Sequence, residues 1–558
     1  ARIGPSRVLS LCRVGFRRIE VDRGADGRGF ALRVNGVPVF CRGSAWTGAE
    51  LLSAPGEVPD SREVIALARQ AGMNMLRVPG TTLYPDPAFH RACDEAGVLV
   101  WQDFMFARFD YPAAMPQFRA AVEAEARQLL ERLQGSPSLA VLCGGTEVAQ
   151  QAAMLGLPPE SWSSALYDHL LPAIASELRP DVPYVPNAPC GPAGELPFRA
   201  DSGVAHYFGV TGYLRPFEDV RTADVRFAAE CLAVSHVPDA VSCAAFGLLP
   251  HGAGWKAGVP RDMGASWDFE DVREHYLAQL YGVDPPRLRR EDPERWLALS
   301  RAVTSDMLEA VFAEWRRPES RCAGGLTIAL QDVLPGAGWG VLDARGRPKP
   351  AWHALRRAFR PVQLILLDEG MNGIALHVLN ETAERISGTV SVDCWRGAVS
   401  VARGRHPVAV PPRGTLSLLG EDLFGGFFDA MNTWRFGPLQ HDVVLACLDA
   451  DGALPDDPPL ASAALFPAGR NLARAEIGLT ARLVSDHDQH VLVVTASRFA
   501  QGLIVEDEAG YIAAADHVHL APGRPLRIAL WPGRDAGPRP HGRVYALNAA
   551  ASATYGHI

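Results

Sequence analysis

Between residues 37 and 332 short apolar runs of strand length alternate with longer amphipathic stretches eight times over, and this alternation most constrains the fold. Strands that alternate with helices build a parallel sheet, and eight such units close it into a (β/α)8 barrel. The runs are VPVFCRG (37–43), after a hairpin turn at Asn35-Gly36, MNMLRV (73–78), VLVWQDFMF (98–106), LAVLCGG (139–145), VPYVPN (182–187), GVAHYF (203–208), VRFAAE (225–230) and GGLTIALQD (324–332). Asp60 is a good N-cap for a helix that stops at Gly72; further helices are expected over PAFHRACDEAG, over about 114–134, and over KPAWHALRRAFR before Pro361. More than 90 residues separate the seventh and eighth runs, an insertion long enough to wall a site.

Reactive groups of a parallel barrel sit at the carboxyl ends of its strands. Two runs end there in glutamate: SLAVLCGGTE at Glu147, after the fourth strand, and DVRFAAE at Glu230, after the seventh. Small residues precede both, leaving room beside each carboxylate. A single glutamate at a strand end is more often a solvated loop residue; two at these positions point to a pair of carboxylates working together.

At 558 residues the chain exceeds what one hydrophobic core fills. After Pro361 the hydrophobic period changes from helical to alternating, and two immunoglobulin-like β-sandwiches are expected. The expected division is 1–22 as the last strand of a truncated amino-terminal β-sandwich, 23–360 as the barrel, and 361–470 and 471–558 as the sandwiches. A net charge of −9 spread along the chain argues against a nucleic-acid partner, and no run of 18 apolar residues encodes a membrane span. The ten cysteines fall singly, several inside apolar runs, and no signal peptide begins at Ala1, so buried thiols and a reducing, cytoplasmic compartment are favoured. No cofactor is expected: His517 and His519, and His487 and His490, lack a third ligand within reach, and PGAGWG lacks a phosphate-loop lysine.

The segments GFRRIEV, FALRVNGVPVFCRGSAW, AGMNMLRVPG, FHRACDEAGVLVWQDFMFARFDYP, LQGSPSLAVLCGGTE, HYFGV and PGAGWGVLDARGRPKPAWHALRR occur in family order. Together they resemble the β-mannosidase-like branch of glycoside hydrolase family 2 over roughly residues 16–360. The resemblance implies retaining, exo-acting hydrolysis of a β-glycoside, with Glu147 as general acid/base, Glu230 as nucleophile and Arg77 hydrogen-bonded to the nucleophile. His206 and Tyr207, ending the sixth strand, are candidates to touch the nucleophile or the sugar. Trp46, Trp101 and Trp339 are candidates to stack on a pyranose, and Asp103 and Asp332 to accept bonds from its hydroxyls, although large aromatics often only fill a core. An oligosaccharide or other β-glycoside is the expected partner.

Four positions depart from the family pattern. Thr146 stands where an asparagine that bonds the sugar 2-hydroxyl is usual, Ala45 replaces an asparagine before Trp46, Pro79 removes a pocket tryptophan, and Ile328 replaces an aromatic. With both carboxylates retained, these changes point to altered substrate choice: a β-mannoside leads, ahead of other β-hexosides or uronides. A transglycosylase and a non-catalytic sugar-binding barrel are the alternatives.

Overall fold

The computed structural model describes residues 2–3, 7–8, 14–48, 60–192, 194–454, 457–486 and 489–556. Much of the stretch read as a last amino-terminal strand, and His487, lie outside them. Two compact units divide the chain: residues 1–233 with 321–333, and residues 234–320 with 334–558.

The first unit is built on eight strands, all parallel: β1 (Cys41–Ala45), β2 (Met75–Val78), β3 (Leu99–Asp103), β4 (Leu139–Cys143), β5 (Tyr184–Val185), β6 (Ala205–Tyr207), β7 (Ala228–Cys231) and β8 (Gly324–Thr327). Their spatial order is β5-β4-β3-β2-β1-β8-β7-β6, the cyclic order of a barrel with its seam between β5 and β6. Across that seam Cys190 and Val204 exchange backbone N–H···O bonds of 2.9 Å in both directions. Most strand residues are buried, because a parallel strand is covered on both faces.

The connections follow local chemistry. Helix α1 (Ser61–Gln70) starts where the Asp60 carboxylate accepts the Glu63 N–H, and buries Val64, Ile65 and Ala68. Helix α2 (Pro87–Ala96) has Asp86 as its cap and Pro87 in its first turn, and ends at Gly97 in the left-handed conformation. At Gly144, just beyond β4, a Cβ would stand 2.3 Å from the Pro186 carbonyl, so only glycine lets these strand ends approach.

The first strand needs a correction. Residues Val37–Val39 pair antiparallel with Ala31–Val34 across Asn35-Gly36, and that ribbon also holds Ile19–Asp22; the barrel strand starts only at Cys41. Both turn residues have positive φ, as a two-residue hairpin loop requires. Phe30, beside this ribbon, packs on Trp101 and Phe227, so the ribbon helps fill the barrel from the end at which its strands begin.

In the second unit, strands Val362–Asp368, Ile374–Asn380 and Gly414–Leu419 face a four-stranded sheet of Val399–Val410, Ile386–Arg396, Val443–Ala450 and Ala461–Leu465 across a shared apolar core. A second pair of four-stranded antiparallel sheets encloses another core around Leu492, Leu503, Ile528 and Val544. The segment YIAAADHVHL holds two strands: Ile512–Ala513 joins one sheet and Val518–Leu520 the other, with His517 at φ +55 turning the chain between them. All nine cysteines among the described residues are unpaired, eight of them buried. Among the described residues no helix is long and apolar enough to cross a membrane.

Candidate active site

The carboxyl ends of β2, β3, β4, β6 and β7 bring together Arg77, Asp103, Thr146, Glu147, His206 and Glu230, all nine-tenths buried or more. Parallel pairing sets His206 opposite Glu230 and Arg77 opposite Trp101. Glu147 follows β4 in the left-handed conformation, φ +58, at the head of the helix Val148–Met154. A non-glycine residue held there stores backbone strain of a kind that collects at functional sites.

His206 joins the two glutamates. Its Nδ1 lies 2.9 Å from Glu147 Oε1 and 3.5 Å from Glu230 Oε2, while its Nε2 lies 3.1 Å from Arg77 Nη1. An oxygen of each glutamate and a ring nitrogen of His206 fall within 4.8 Å of one another. Such a trio could in principle grip a cation. The guanidinium groups of Arg77 and Arg108 stand against Glu230 and Glu147.

Arg77 is fully buried and bonds Glu230 Oε1 at 3.1 Å, Asp103 Oδ2 at 2.8 Å and the Ala229 carbonyl at 3.2 Å. Burial alone would lower its pKa, but the carboxylates of Asp103 and Glu230 outweigh burial and push it up. It is a permanent cation beside Glu230.

Asp103 and Thr146 are both engaged with protein partners. Asp103 accepts from Arg77 Nη2 at 2.8 Å, from Thr146 Oγ1 at 2.7 Å and from Trp101 Nε1 at 2.9 Å, so it stands as counter-ion to Arg77. The one donor of Thr146 is spent on Asp103, and its oxygen accepts the Gly80 N–H at 2.8 Å. Trp101 is a core residue with no solvent exposure, closed in by Phe30 and Phe227, and cannot serve as a stacking platform in this arrangement. Trp46 is likewise buried, against Phe89. The Tyr207 hydroxyl donates to Asp219 at 2.8 Å. Asp332 is buried beyond β8, and Trp339 falls in the second unit, edge-on to Phe269.

Two partners of Glu147 went unforeseen in the sequence. Arg108 Nε lies 2.8 Å from Glu147 Oε2, and Gln150 Nε2 lies 3.0 Å from Oε1. Burial pushes the Glu147 pKa up, yet His206 and Arg108 together outweigh burial and bring it from the ordinary 4.5 to about 2. The resting site therefore holds Glu147 as an anion. The available signal was a cation in the loop just past β3, in FARFDYP, at the end of a barrel where loops carry function.

The chain is similar to the β-mannosidase B of Aspergillus niger, 27% identical over 556 residues, covering 92% of this chain and 62% of that protein. It is 30% identical over 377 residues to the β-mannosidase B of Aspergillus flavus, covering 63% of this chain and 43% of that protein. No protein-family model matches the chain. Among solved structures, the β-D-mannosidase of Dictyoglomus thermophilum superposes with a TM-score of 0.79 at 22% identity, over 94% of this chain and 62% of that one. The exo-chitosanase of Amycolatopsis orientalis superposes with a TM-score of 0.73 at 17% identity, over 97% and 66%. The chain thus spans a little over three fifths of the length of the A. niger relative, and it shares the barrel-and-sandwich fold of the solved enzymes. In sequence the chain is similar to these β-mannosidases, and in fold to the two solved enzymes.

Proposed function

We propose that this chain is a retaining, exo-acting β-glycoside hydrolase with a β-mannoside as its leading substrate. The observation that carries the reading is the approach of Glu147 and Glu230 around His206, with oxygens of the two within 4.8 Å. Retaining glycosidases place their two carboxyl groups about 5–5.5 Å apart, whereas inverting ones need about 6.5–9.5 Å to admit a water. The β-mannosidase relatives support the choice of sugar.

Glu230, paired with Arg77 at 3.1 Å, attacks the anomeric carbon as the bond to the leaving oxygen breaks, and that oxygen takes a proton from Glu147. A covalent glycosyl-enzyme results. Glu147, now a carboxylate, removes a proton from water; the hydroxyl attacks the same carbon from the face the leaving group vacated, and Glu230 departs. Two inversions give net retention.

Turnover of a panel of aryl β-glycosides, led by the β-mannoside, tests the reading, with Glu230→Ala in parallel and the first-formed anomer identified by NMR. One sugar cleaved to its β-anomer and a dead variant are expected. No turnover of any glycoside, or an α-product, overturns the reading, and transfer of the sugar to an added saccharide in place of water would make the chain a transglycosylase.

A further inference from the structure

Both carboxylate oxygens of Glu147 are engaged before any substrate arrives. Oε1 meets His206 Nδ1 and Gln150 Nε2, and because His206 also stands beside Glu230, this oxygen lies on the side of the other glutamate. Oε2 meets Arg108 Nε at 2.8 Å. A glycosidic oxygen must come within hydrogen-bond reach of a Glu147 oxygen to receive its proton. At Oε2 a guanidinium already stands in that place.

The placement of Arg108 is built in. Its backbone has φ +60, its N–H donates to the Thr146 carbonyl at 3.0 Å, and its neighbour Ala107 bridges Thr146, so the turn after β3 is tied to the residue before Glu147. Its side chain is 56% exposed although its partner Glu147 is only 7% exposed, so part of the guanidinium fork faces solvent. A carboxylate held by a guanidinium is an anion, and an anion cannot act as the acid.

We propose that Arg108 selects substrates whose leaving group carries a carboxylate, such as a uronic acid unit or an aryl carboxylate. This rests on the reading of Glu147 as acid/base. The planar fork of Arg108 matches a carboxylate with two parallel hydrogen bonds. Drawn onto that carboxylate, the guanidinium leaves Oε2; Glu147 takes one proton from solvent and delivers it to the glycosidic oxygen as that oxygen separates from the anomeric carbon and Glu230 bonds to it. A neutral leaving group gives Arg108 nothing in exchange for Glu147, and the ion pair persists. Charge on the leaving-group side thereby governs the protonation state of the acid.

The test compares 4-carboxyphenyl and 4-carbamoylphenyl β-glycosides of one sugar, near-isosteric and differing in charge, on the wild type and on Arg108→Ala and Arg108→Lys. At neutral pH the wild type should favour the carboxylate in kcat/KM by about tenfold or more. Arg108→Ala should bring the ratio to near unity, and Arg108→Lys, which keeps the charge without the fork, should fall between. In parallel, 4-hydroxybenzoate and 4-hydroxybenzamide are titrated into wild type and Arg108→Ala by NMR, with a thermal melt to show that the variant is folded. Benzoate binding that requires Arg108, with benzamide indifferent to it, supports the proposal even if neither glycoside is cleaved, in which case only the hydrolase reading falls. Benzoate binding equal in wild type and Arg108→Ala, or the same rate ratio in both, overturns it.

Discussion

Arg77 Nη1 lies 3.1 Å from Glu230 Oε1 in a pocket where the guanidinium has no exposed surface. The same side chain pairs with Asp103 through Nη2 at 2.8 Å, so one buried cation serves two carboxylates. An arrangement of this kind stands only because each charge answers another: removing a partner leaves an uncompensated buried charge and costs about 3–5 kcal/mol. Arg77→Met should lower the melting temperature clearly and abolish turnover. Arg77→Lys should restore part of the stability and little of the rate, because an ammonium cannot fork between Glu230 and Asp103. Melting curves and kcat for the two variants check this; a fully active Arg77→Lys would contradict it.

Glu230→Gln should lose turnover by a factor on the order of 10⁶, as enzymes stripped of their nucleophile do. In Glu230→Ala, added azide should restore cleavage of an activated aryl glycoside and yield a glycosyl azide of inverted configuration, read by NMR.

Glu147→Ala should show a different signature. Glycosides with poor leaving groups should slow by about 10²–10⁴-fold, the usual worth of a general acid, while a dinitrophenyl glycoside, which needs no proton, should form its glycosyl-enzyme almost normally. An equal loss for both leaving groups would place the acid elsewhere.

Protonation of Glu147 links to stability. Its pKa in the folded protein, about 2, lies below the ordinary 4.5 of an unfolded chain because His206 and Arg108 face its two oxygens, with Glu230 beyond His206. A depressed carboxylate stabilises the fold fully above its unfolded value and loses that contribution as pH falls through its folded one. The stability lead of wild type over Glu147→Gln should therefore shrink between pH about 4.5 and about 2. Melting temperatures of the two across that window measure it, and parallel curves would remove the ion pair from the account.

Thr146→Val removes the hydroxyl that donates to Asp103 and accepts from Gly80 while keeping the side-chain shape. Leaving the buried Gly80 N–H unpaired should cost about 1–3 kcal/mol. A denaturant midpoint unchanged from wild type would show that Thr146 is incidental to the Arg77–Asp103 pair.

What the sequence disclosed and what it withheld divide along physical lines. Glu147 and Glu230 were legible because each ends an apolar run, and His206 because it falls near the end of one, which in a parallel barrel is an address; Arg77 was named through the family resemblance. Strand lengths were not: β5 is only Tyr184–Val185 where six residues were expected, since ladder pairing and not apolarity decides where a strand stops. Asp103 and Trp101 were assigned to the sugar, but both turn inward to support Arg77, and a period of two tells which residues share a face without telling which side is empty. Arg108 showed only as a cation in the loop past β3; its pairing with Glu147, 39 positions along the chain, depends on a turn whose geometry only the folded barrel sets. In the sandwiches, the strand Val399–Val410 is hard to read from sequence because RGRHP interrupts its alternation.

The central claim is that Glu230 forms a covalent bond to the sugar, and trapping is its most direct test. The wild type is incubated with a 2-deoxy-2-fluoro-β-mannosyl fluoride, digested, and mapped by mass spectrometry. The account predicts one fluoroglycosyl adduct on the peptide bearing Glu230, formed in step with loss of activity and absent from Glu230→Gln. An adduct on another residue, or undiminished turnover of a β-glycoside with no adduct at all, would contradict it.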